Sequence, residues 1–326
     1  MKNHKIDIAV ALCFFNRPNC LEQSFKSVKE ARPSKLYLIQ DAPRENRASD
    51  KINVIKCREI VEKIDWECNV VKIYASENMG CGRRIFTGLS EVFKHEEYAV
   101  IIEDDIVIGA TFLSFCKEMC ERYISDERIQ MISGMNHIGI YKQCPYSYFF
   151  SKGGGAIWGW ATWRRCWNEL QYSLDVASDE YVMNCLRYMQ PKSYGYKQMY
   201  EKAINMHQNI ARGKFPSYWS FHFGLYGYLS NRINIVPKSN LITNIGIGGE
   251  GAHTANSLSM LPKRLRTLFY APIYELPEIL KHPKYVIDDQ IYKRMQDNIL
   301  QPKILTKVWE FFYLSIKRLF KTKWFS

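Results

Sequence analysis

Tyr98-Ala99-Val100-Ile101-Ile102 runs straight into Glu103-Asp104-Asp105. Five residues rich in β-branched and aromatic side chains, entered from the polar run Lys94-His95-Glu96-Glu97, read as a buried strand of an α/β sheet. Three carboxylates then arrive where the strand ends. Buried unpaired carboxylates are costly, so the triplet is expected to lie in a crevice that holds a cation. Oxygen-only ligands favour Mg2+ or Mn2+ over zinc, and Mg2+ usually binds through one or two carboxylates plus substrate phosphates. The competing reading is a solvated acidic turn capping a helix over 111–123.

Working outward, the chain alternates. Residues 6–15 form a first strand that turns at Asn16-Arg17-Pro18-Asn19 into a helix with Leu21, Phe25 and Val28 on one face. Pro33-Ser34 breaks that helix, and 35–40 is a second strand ending at Asp41-Ala42-Pro43-Arg44. A charged helix (about 49–64) and a third strand (68–74) follow. The loop from Ser76 to Arg84 then leads through a helix over 85–93 to the acidic strand. This alternation argues for a mostly parallel sheet with crossover helices, its functional groups gathered at the strands' carboxyl ends. Arg17, Asp41, Arg83 and the acidic triplet all fall at such ends. Arg83 and Arg84, at a helix start, either add positive potential there or sit on the surface.

Beyond a strand at 129–133 the character changes. Gly153-Gly154-Gly155-Ala156-Ile157-Trp158-Gly159-Trp160-Ala161-Thr162-Trp163 crowds glycine and tryptophan together. It reads as a place where backbone approaches a ligand and rings stack on sugar, or as a tight bend buried under aromatics. Helices at about 179–189 and 196–211 precede Tyr218-Trp219-Ser220-Phe221-His222 and a strand at 233–237. The glycine-rich run from Asn244 to Thr254 carries Glu250 and His253 and suits a mobile lid over a diphosphate. It matches neither the Walker nor the Rossmann glycine pattern.

At 326 residues the chain makes one large domain, or a domain plus an appendage. Its net charge of +12 calls for an anionic partner. Nucleic acid is not that partner, because no zinc spacing or RNA-binding aromatic signature occurs. The ten cysteines show no metal spacing and read as reduced, mostly packing residues of a cytosolic protein. The N-terminal apolar run is interrupted by Asp7 and lacks a cleavage site, so a strand fits better than a signal peptide. No apolar run reaches the roughly 18 residues needed to cross a bilayer. Residues 256–326 are expected to form a separate helical extension. Within it, 303–325 mixes Trp309, Phe312, Leu319 and Trp324 with Lys307, Lys317, Arg318, Lys321 and Lys323. Such a basic amphipathic helix lies on an anionic membrane surface or packs on the domain.

Taken together, Phe15-Asn16-Arg17-Pro18, Ile39-Gln40-Asp41, Glu103-Asp104-Asp105, Trp158-Gly159-Trp160-Ala161-Thr162-Trp163 and the 244–254 loop resemble a GT-A-type glycosyltransferase. The likeness spans about 6–255 and is similar to family 2 enzymes and to the N-acetylglucosaminyltransferase I type. It implies a Rossmann-like α/β fold with a nucleotide-binding half (1–135) and an acceptor and lid half (136–255). It implies a metal-dependent, inverting transfer from a nucleotide sugar, a UDP-sugar first, to a hydroxyl of a lipid-linked or bacterial surface glycan. The enzyme would sit peripherally on the inner face of the cell membrane. Under the resemblance Asp41 bonds the uracil edge, and Arg17 and Arg83 help hold the nucleotide. Glu103 and Asp104 face the donor, and Asp105 binds Mn2+ or Mg2+. His253 closes over donor and metal, while Trp158, Trp160 and Trp219 meet the acceptor.

One departure stands out. Similar sequences carry an Asp after the Trp at the position of Trp219, and it deprotonates the acceptor; here that residue is Ser220. A serine hydroxyl is a poor general base near neutral pH. Glu250 and His222 are the nearest substitutes, His222 reading equally as a core histidine. A non-catalytic glycan- or membrane-binding protein on a degenerate scaffold, or a sugar nucleotidyltransferase, are the competing functions. The second would want a glycine-rich, Arg- and Lys-bearing signature after the first strand, which Asn16-Arg17-Pro18-Asn19 is not.

Overall fold

A computed structural model describes residues 1–188, 194–216, 218–247, 257–301 and 306. The first half alternates: β1 (Ile6–Phe14), α1 (Pro18–Ala31), β2 (Pro33–Gln40), α2 (Ala48–Val61), β3 (Asn69–Tyr74), α3 (Cys81–His95) and β4 (Tyr98–Glu103). Next come β5 (Ile106–Ile108), α4 (Phe112–Arg122), β6 (Ile129–Ser133), β7 (Tyr148–Ser151), β8 (Trp160–Trp163) and α5 (Arg164–Trp167). The chain continues through α6 (Glu180–Tyr188), α7 (Tyr194–Ala211), α8 (Ser220–Leu229), β9 (Ile233–Pro237), β10 (Ile242–Asn244), α9 (Lys263–Arg266) and α10 (Gln290–Leu300).

One eight-stranded sheet, ordered β3-β2-β1-β4-β8-β6-β9-β7, organises the molecule, and β5 and β10 form a small antiparallel pair beside it. Only β8 and β7 run against the common direction. The fold is α/β with a mostly parallel sheet flanked by helices. β1 shows why. Val10, Leu12 and Phe14 point to one face and pack with Leu21, Phe25 and Val28 of α1. Ala9, Ala11 and Cys13 point to the other and pack with Ile85, Leu89, Val92 and Phe93 of α3. A strand covered on both faces reads as a continuous apolar run, as β1 and β4 do.

Several expectations shift. α1 ends at Ala31, before Pro33, as expected, but Pro33 itself opens β2, a position that needs no N–H for the ladder. α3 starts at Cys81, so Arg83 lies inside a helix. The tryptophan run is chiefly a central strand. All four residues of β8 are buried, Trp163 donates its indole N–H to the Cys120 carbonyl at 3.0 Å, and Thr162 bonds the Gln130 carbonyl at 2.7 Å. Because β8 lies between β4 and β6, the sheet runs through the expected 135/136 division. The described part of the 256–326 extension is built into the body as well. Leu268, Leu276 and Leu280 join the main core, and Tyr292 of α10 is fully buried against Phe149 and Tyr141, with ring centroids 4.6 and 5.5 Å away. Residues 307–326, with most of the basic amphipathic stretch, lie outside the described residues. No helix among the described residues is long and apolar enough to cross a membrane, and all ten cysteines are free thiols.

A buried carboxylate fixes α2 to the sheet's carboxyl edge. Asp50 accepts from Asn16 Nδ2 at 2.7 Å and from Arg44 Nε and Nη2 at 2.5 and 2.9 Å. Arg44, then Asn16, hold its carboxyl below the ordinary value. That stabilisation is complete above the unfolded pKa of about 3.9 and is lost as pH falls through the lower folded value. Arg44 is a third exposed, so Asp50→Asn should cost only about 1–3 kcal/mol at pH 7. Denaturant melts from pH 7 down to about pH 2 should show a shallower acid loss than wild type; parallel acid limbs would show that the pair contributes nothing.

Candidate functional site

The carboxyl ends of β1, β2 and β4 open onto a cavity of about 620 Å³, within the range of small-molecule sites. Its floor is acidic. β1 and β4 are parallel neighbours with Cys13 opposite Glu103, so Arg17, just beyond β1, faces the acids just beyond β4. Arg17 forks onto Asp104, Nη2 meeting Oδ1 and Nε lying 3.4 Å from Oδ2, and its Nη1 reaches Asp105 Oδ2 at 3.0 Å. The Phe15 N–H also points at Asp104 Oδ2, at 3.4 Å. Asp104 and Asp105 are only 3% and 7% exposed, which overturns the reading of a solvated capping turn.

Burial, then the charges of Asp105 and Asp104, push the Glu103 carboxyl well above its ordinary value, with Arg17 opposing. Burial also raises Asp105, again against Arg17. For Arg17 burial favours the neutral form, but Asp104 and Asp105 more than offset it and keep the guanidinium charged. Three acids against one guanidinium leave the cluster short of positive charge. The donor set fits a hard divalent cation. Among the described residues no group of three His, Cys, Asp or Glu side chains could hold a metal. Asp105, with Glu103 beside it, would therefore supply part of the shell and a phosphate-bearing ligand the rest.

β10 brings the start of the glycine-rich run onto this floor. Thr243 pairs with Val107, the Ile245 N–H bonds the Asp105 carbonyl at 2.9 Å, and the Gly246 N–H bonds Asn244 Oδ1 at 2.8 Å. A Cβ on Gly246 would stand 2.1 Å from Asp105 Oδ2, so only glycine allows this approach. Glu250 and His253 of the same run lie outside the described residues.

Asp41 is buried where the cavity meets the carboxyl end of β2, and it serves the protein's own backbone. Its Oδ1 accepts the Ala42 and Met79 N–H groups, each at 3.0 Å; its Oδ2 accepts the Gly80 N–H at 2.9 Å and Asn78 Nδ2 at 3.2 Å. A carboxylate offers about four lone-pair sites, and all are taken. The expected bond to a uracil edge is thereby displaced: Asp41 shapes the turn entering α3. Burial raises its carboxyl, and these N–H groups partly offset the effect.

The cationic partner at α3 is also a different residue. Arg83 is exposed, with its guanidinium 4.9 Å from the Phe215 ring centroid. Arg84 lines the cavity, 7% exposed, with Nη2 donating to the Ile73 carbonyl and Nε making no hydrogen bond among the described residues. Helical phase held the signal, since Arg84 lies one turn before Gly88 on the buried face.

The aromatic assignments divide. Trp158 lines the cavity beside Phe269, their rings 5.2 Å apart, and Phe269 comes from a segment that sequence reading placed in the extension. Trp219 also lines the cavity, with one face covered by Trp160 at 5.4 Å. Trp160 itself is fully buried and cannot stack on an acceptor. Ser220 opens α8 and lines the cavity. His222 is fully buried, stacked on Tyr172 at 5.1 Å with Nε2 3.0 Å from the Tyr172 carbonyl, and burial lowers its pKa. It is a core histidine and no base.

No protein-family profile and no curated protein sequence matches the chain. Solved structures give a loose likeness. The mannosyltransferase PcManGT from Pyrobaculum calidifontis, in complex with GDP-Man and Mn2+, is 9% identical over 69% of this chain and 68% of its own, with a TM-score of 0.37. UDP-glucose pyrophosphorylase complexed with UDP-glucose is 10% identical over 72% and 91%, with a TM-score of 0.34. A cytidylyltransferase from Leptospira borgpetersenii is 12% identical over 65% and 74%, with a TM-score of 0.31. At such scores the site must be read from its own geometry.

Gly246→Ala should keep the fold and lose the floor. Because the Cβ displaces Asp105, we expect the thermal shift given by Mn2+ with UDP to fall below a third of the wild-type value. A full shift would mean that the loop's approach to Asp105 does not matter.

Proposed function

We propose that the chain is a divalent-metal-dependent, inverting glycosyltransferase that moves a sugar from a nucleotide sugar to a hydroxyl of a lipid-linked or surface-glycan acceptor. A UDP-sugar is the donor we favour. The observation that carries the reading is the acid triplet at the carboxyl end of β4, with Asp104 and Asp105 buried and Glu103 half-buried, on the floor of a cavity wide enough for a nucleotide sugar. When bound at Asp105, Mn2+ or Mg2+ supplies Lewis-acid stabilisation of a leaving diphosphate.

The chain's own residues do the positioning. Arg84 offers a buried guanidinium to the donor, and the turn clamped by Asp41 offers backbone edges to its base. Trp158, Phe269 and Trp219 exclude water and present apolar faces to sugar rings. In the base position Ser220 can accept or donate a hydrogen bond to an acceptor hydroxyl, but it cannot hold the proton near neutral pH. We assign the base to Glu250, in the run that begins against Asp105, and set His253 beside the donor and metal. The basic amphipathic stretch over 303–325 would hold the enzyme on an anionic membrane surface, on the cytoplasmic side.

Hydrolysis of a UDP-sugar in the presence and absence of Mn2+ tests the enzyme. Release of UDP and free sugar only with the metal is the expected result; formation of UTP and sugar 1-phosphate when pyrophosphate is added, or no reaction, would sink the reading. Glu250→Gln should lower turnover by roughly 10²–10⁴-fold with donor affinity unchanged. Unchanged turnover removes Glu250 from the mechanism.

The membrane claim needs a clean cut. α10 extends to Leu300, and Arg264 Nη1 donates to the Ile299 carbonyl, so truncation belongs after Gln301. The truncated chain should stay folded and no longer pellet with anionic vesicles. Undiminished pelleting would place the contact elsewhere.

A further inference from the structure

The three-way contact of Arg17, Asp104 and Asp105 does more than balance charge. Arg17 holds Asp104 with two nitrogens of its fork and Asp105 with the third, Nη1 at 3.0 Å from Oδ2. The two grips are unequal. On the Asp104 side the fork is backed by the Phe15 N–H on the same carboxylate; on the Asp105 side there is one nitrogen. Asp105 Oδ2 also lies where a Cβ on Gly246 would stand, so it sits between Arg17 and the start of the glycine-rich run. A hard cation that bonds this oxygen brings a second positive charge against Nη1, and the repulsion between the two favours release of that contact. A displaced Nη1 then needs an anion, because a buried donor left unpaired is costly. The side chain is 18% exposed and lines the cavity, so a diphosphate there can provide one.

We propose that Arg17 is an exchangeable stand-in for the divalent cation: its Nη1 occupies Asp105 while the cavity is empty and passes to the donor diphosphate when metal binds. This rests on the glycosyltransferase reading and adds to it a physical coupling between two ligands. Metal alone releases the Nη1 contact without recompense. A diphosphate alone meets an unneutralised acid floor. Bound together, each removes the other's cost, so binding of either tightens binding of the other by the same factor. Arg17 stays forked on Asp104 throughout, so its planar guanidinium holds Nη1 in place while Asp105 leaves it for the metal and the diphosphate takes the vacated contact.

The test is calorimetric titration of the full chain with Mn2+, with and without saturating UDP, and with GDP as a second diphosphate. In the wild type the nucleotide should tighten Mn2+ at least tenfold. Arg17→Lys separates contact from charge, because an ammonium keeps the charge but lacks the planar fork that bridges two carboxylates. In that variant Mn2+ alone should bind at least threefold more tightly than to wild type, and the gain from UDP should fall below threefold. Wild-type metal binding indifferent to UDP and GDP overturns the proposal while leaving a donor site in place. A Lys variant with unchanged metal affinity and undiminished coupling overturns it too. If the wild type binds neither Mn2+ nor either diphosphate, the glycosyltransferase reading fails along with it.

Discussion

The site depends on one imbalance: three carboxylates brought under the sheet's carboxyl edge against a single guanidinium. Parallel pairing of β1 with β4 forces the meeting, because it sets Cys13 against Glu103 and so turns the residues beyond each strand towards one another. Burying such a group is unfavourable unless opposite charge and hydrogen bonds accompany it. The chain provides just enough for Asp104, through Arg17 and the Phe15 N–H, and less for Asp105 and Glu103. What keeps the imbalance in place is the surrounding frame: Ser24 bonds the Glu103 carbonyl at 3.1 Å, and Ile245 bonds the Asp105 carbonyl. The backbone is held tightly while the carboxylates are left short of partners. A structural salt bridge would show the reverse.

The same frame explains why neighbouring polar residues serve the backbone before they serve a ligand. Asp50 locks the loops after β1 and β2 onto α2, and Asp41 gathers four donors where the chain enters α3. Both hold loops at the carboxyl ends of β1 and β2, where loop residues would otherwise be mobile. There the cavity presents backbone edges and the Arg44 and Arg84 guanidinium groups, while the Asp41 carboxylate is already occupied.

The first four strands and their helices were legible mainly because β1, β4 and α1 have clean patterns that set the alternation. β1 and β4 are continuous apolar runs, and α1 repeats Leu21, Phe25 and Val28 at helical spacing. The acid floor and Arg17 followed, since strand ends in a parallel sheet share an edge. The misses have a common cause, which is that side-chain direction is not written in residue type. Trp160 and Trp158 are two residues apart, yet one is a strand residue wholly covered and the other lines the cavity. Arg83 and Arg84 are adjacent, and only helical phase separates them. His222 and Ser220 are likewise two residues apart at the start of α8, one stacked in the core and the other on the cavity wall. Phe269 was out of reach for another reason: its place depends on a bridge from residue 269 back to Asn244, and no local pattern encodes it.

That bridge changes how the C-terminal segment should be understood. Phe269 pairs with Asn244, the Tyr270 N–H bonds the Asn244 carbonyl at 3.0 Å, and the Tyr270 hydroxyl bonds the Ile245 carbonyl at 3.1 Å. Asn244 in turn holds Gly246 against Asp105. A continuous set of contacts therefore runs from the segment after residue 257, through the root of the glycine-rich run, to the carboxylate on which the proposed metal chemistry depends. Loss of that segment would reach the site itself. It would take away the Phe269 wall and the support that fixes Gly246, so an account of the site that stops at residue 255 omits part of the machinery.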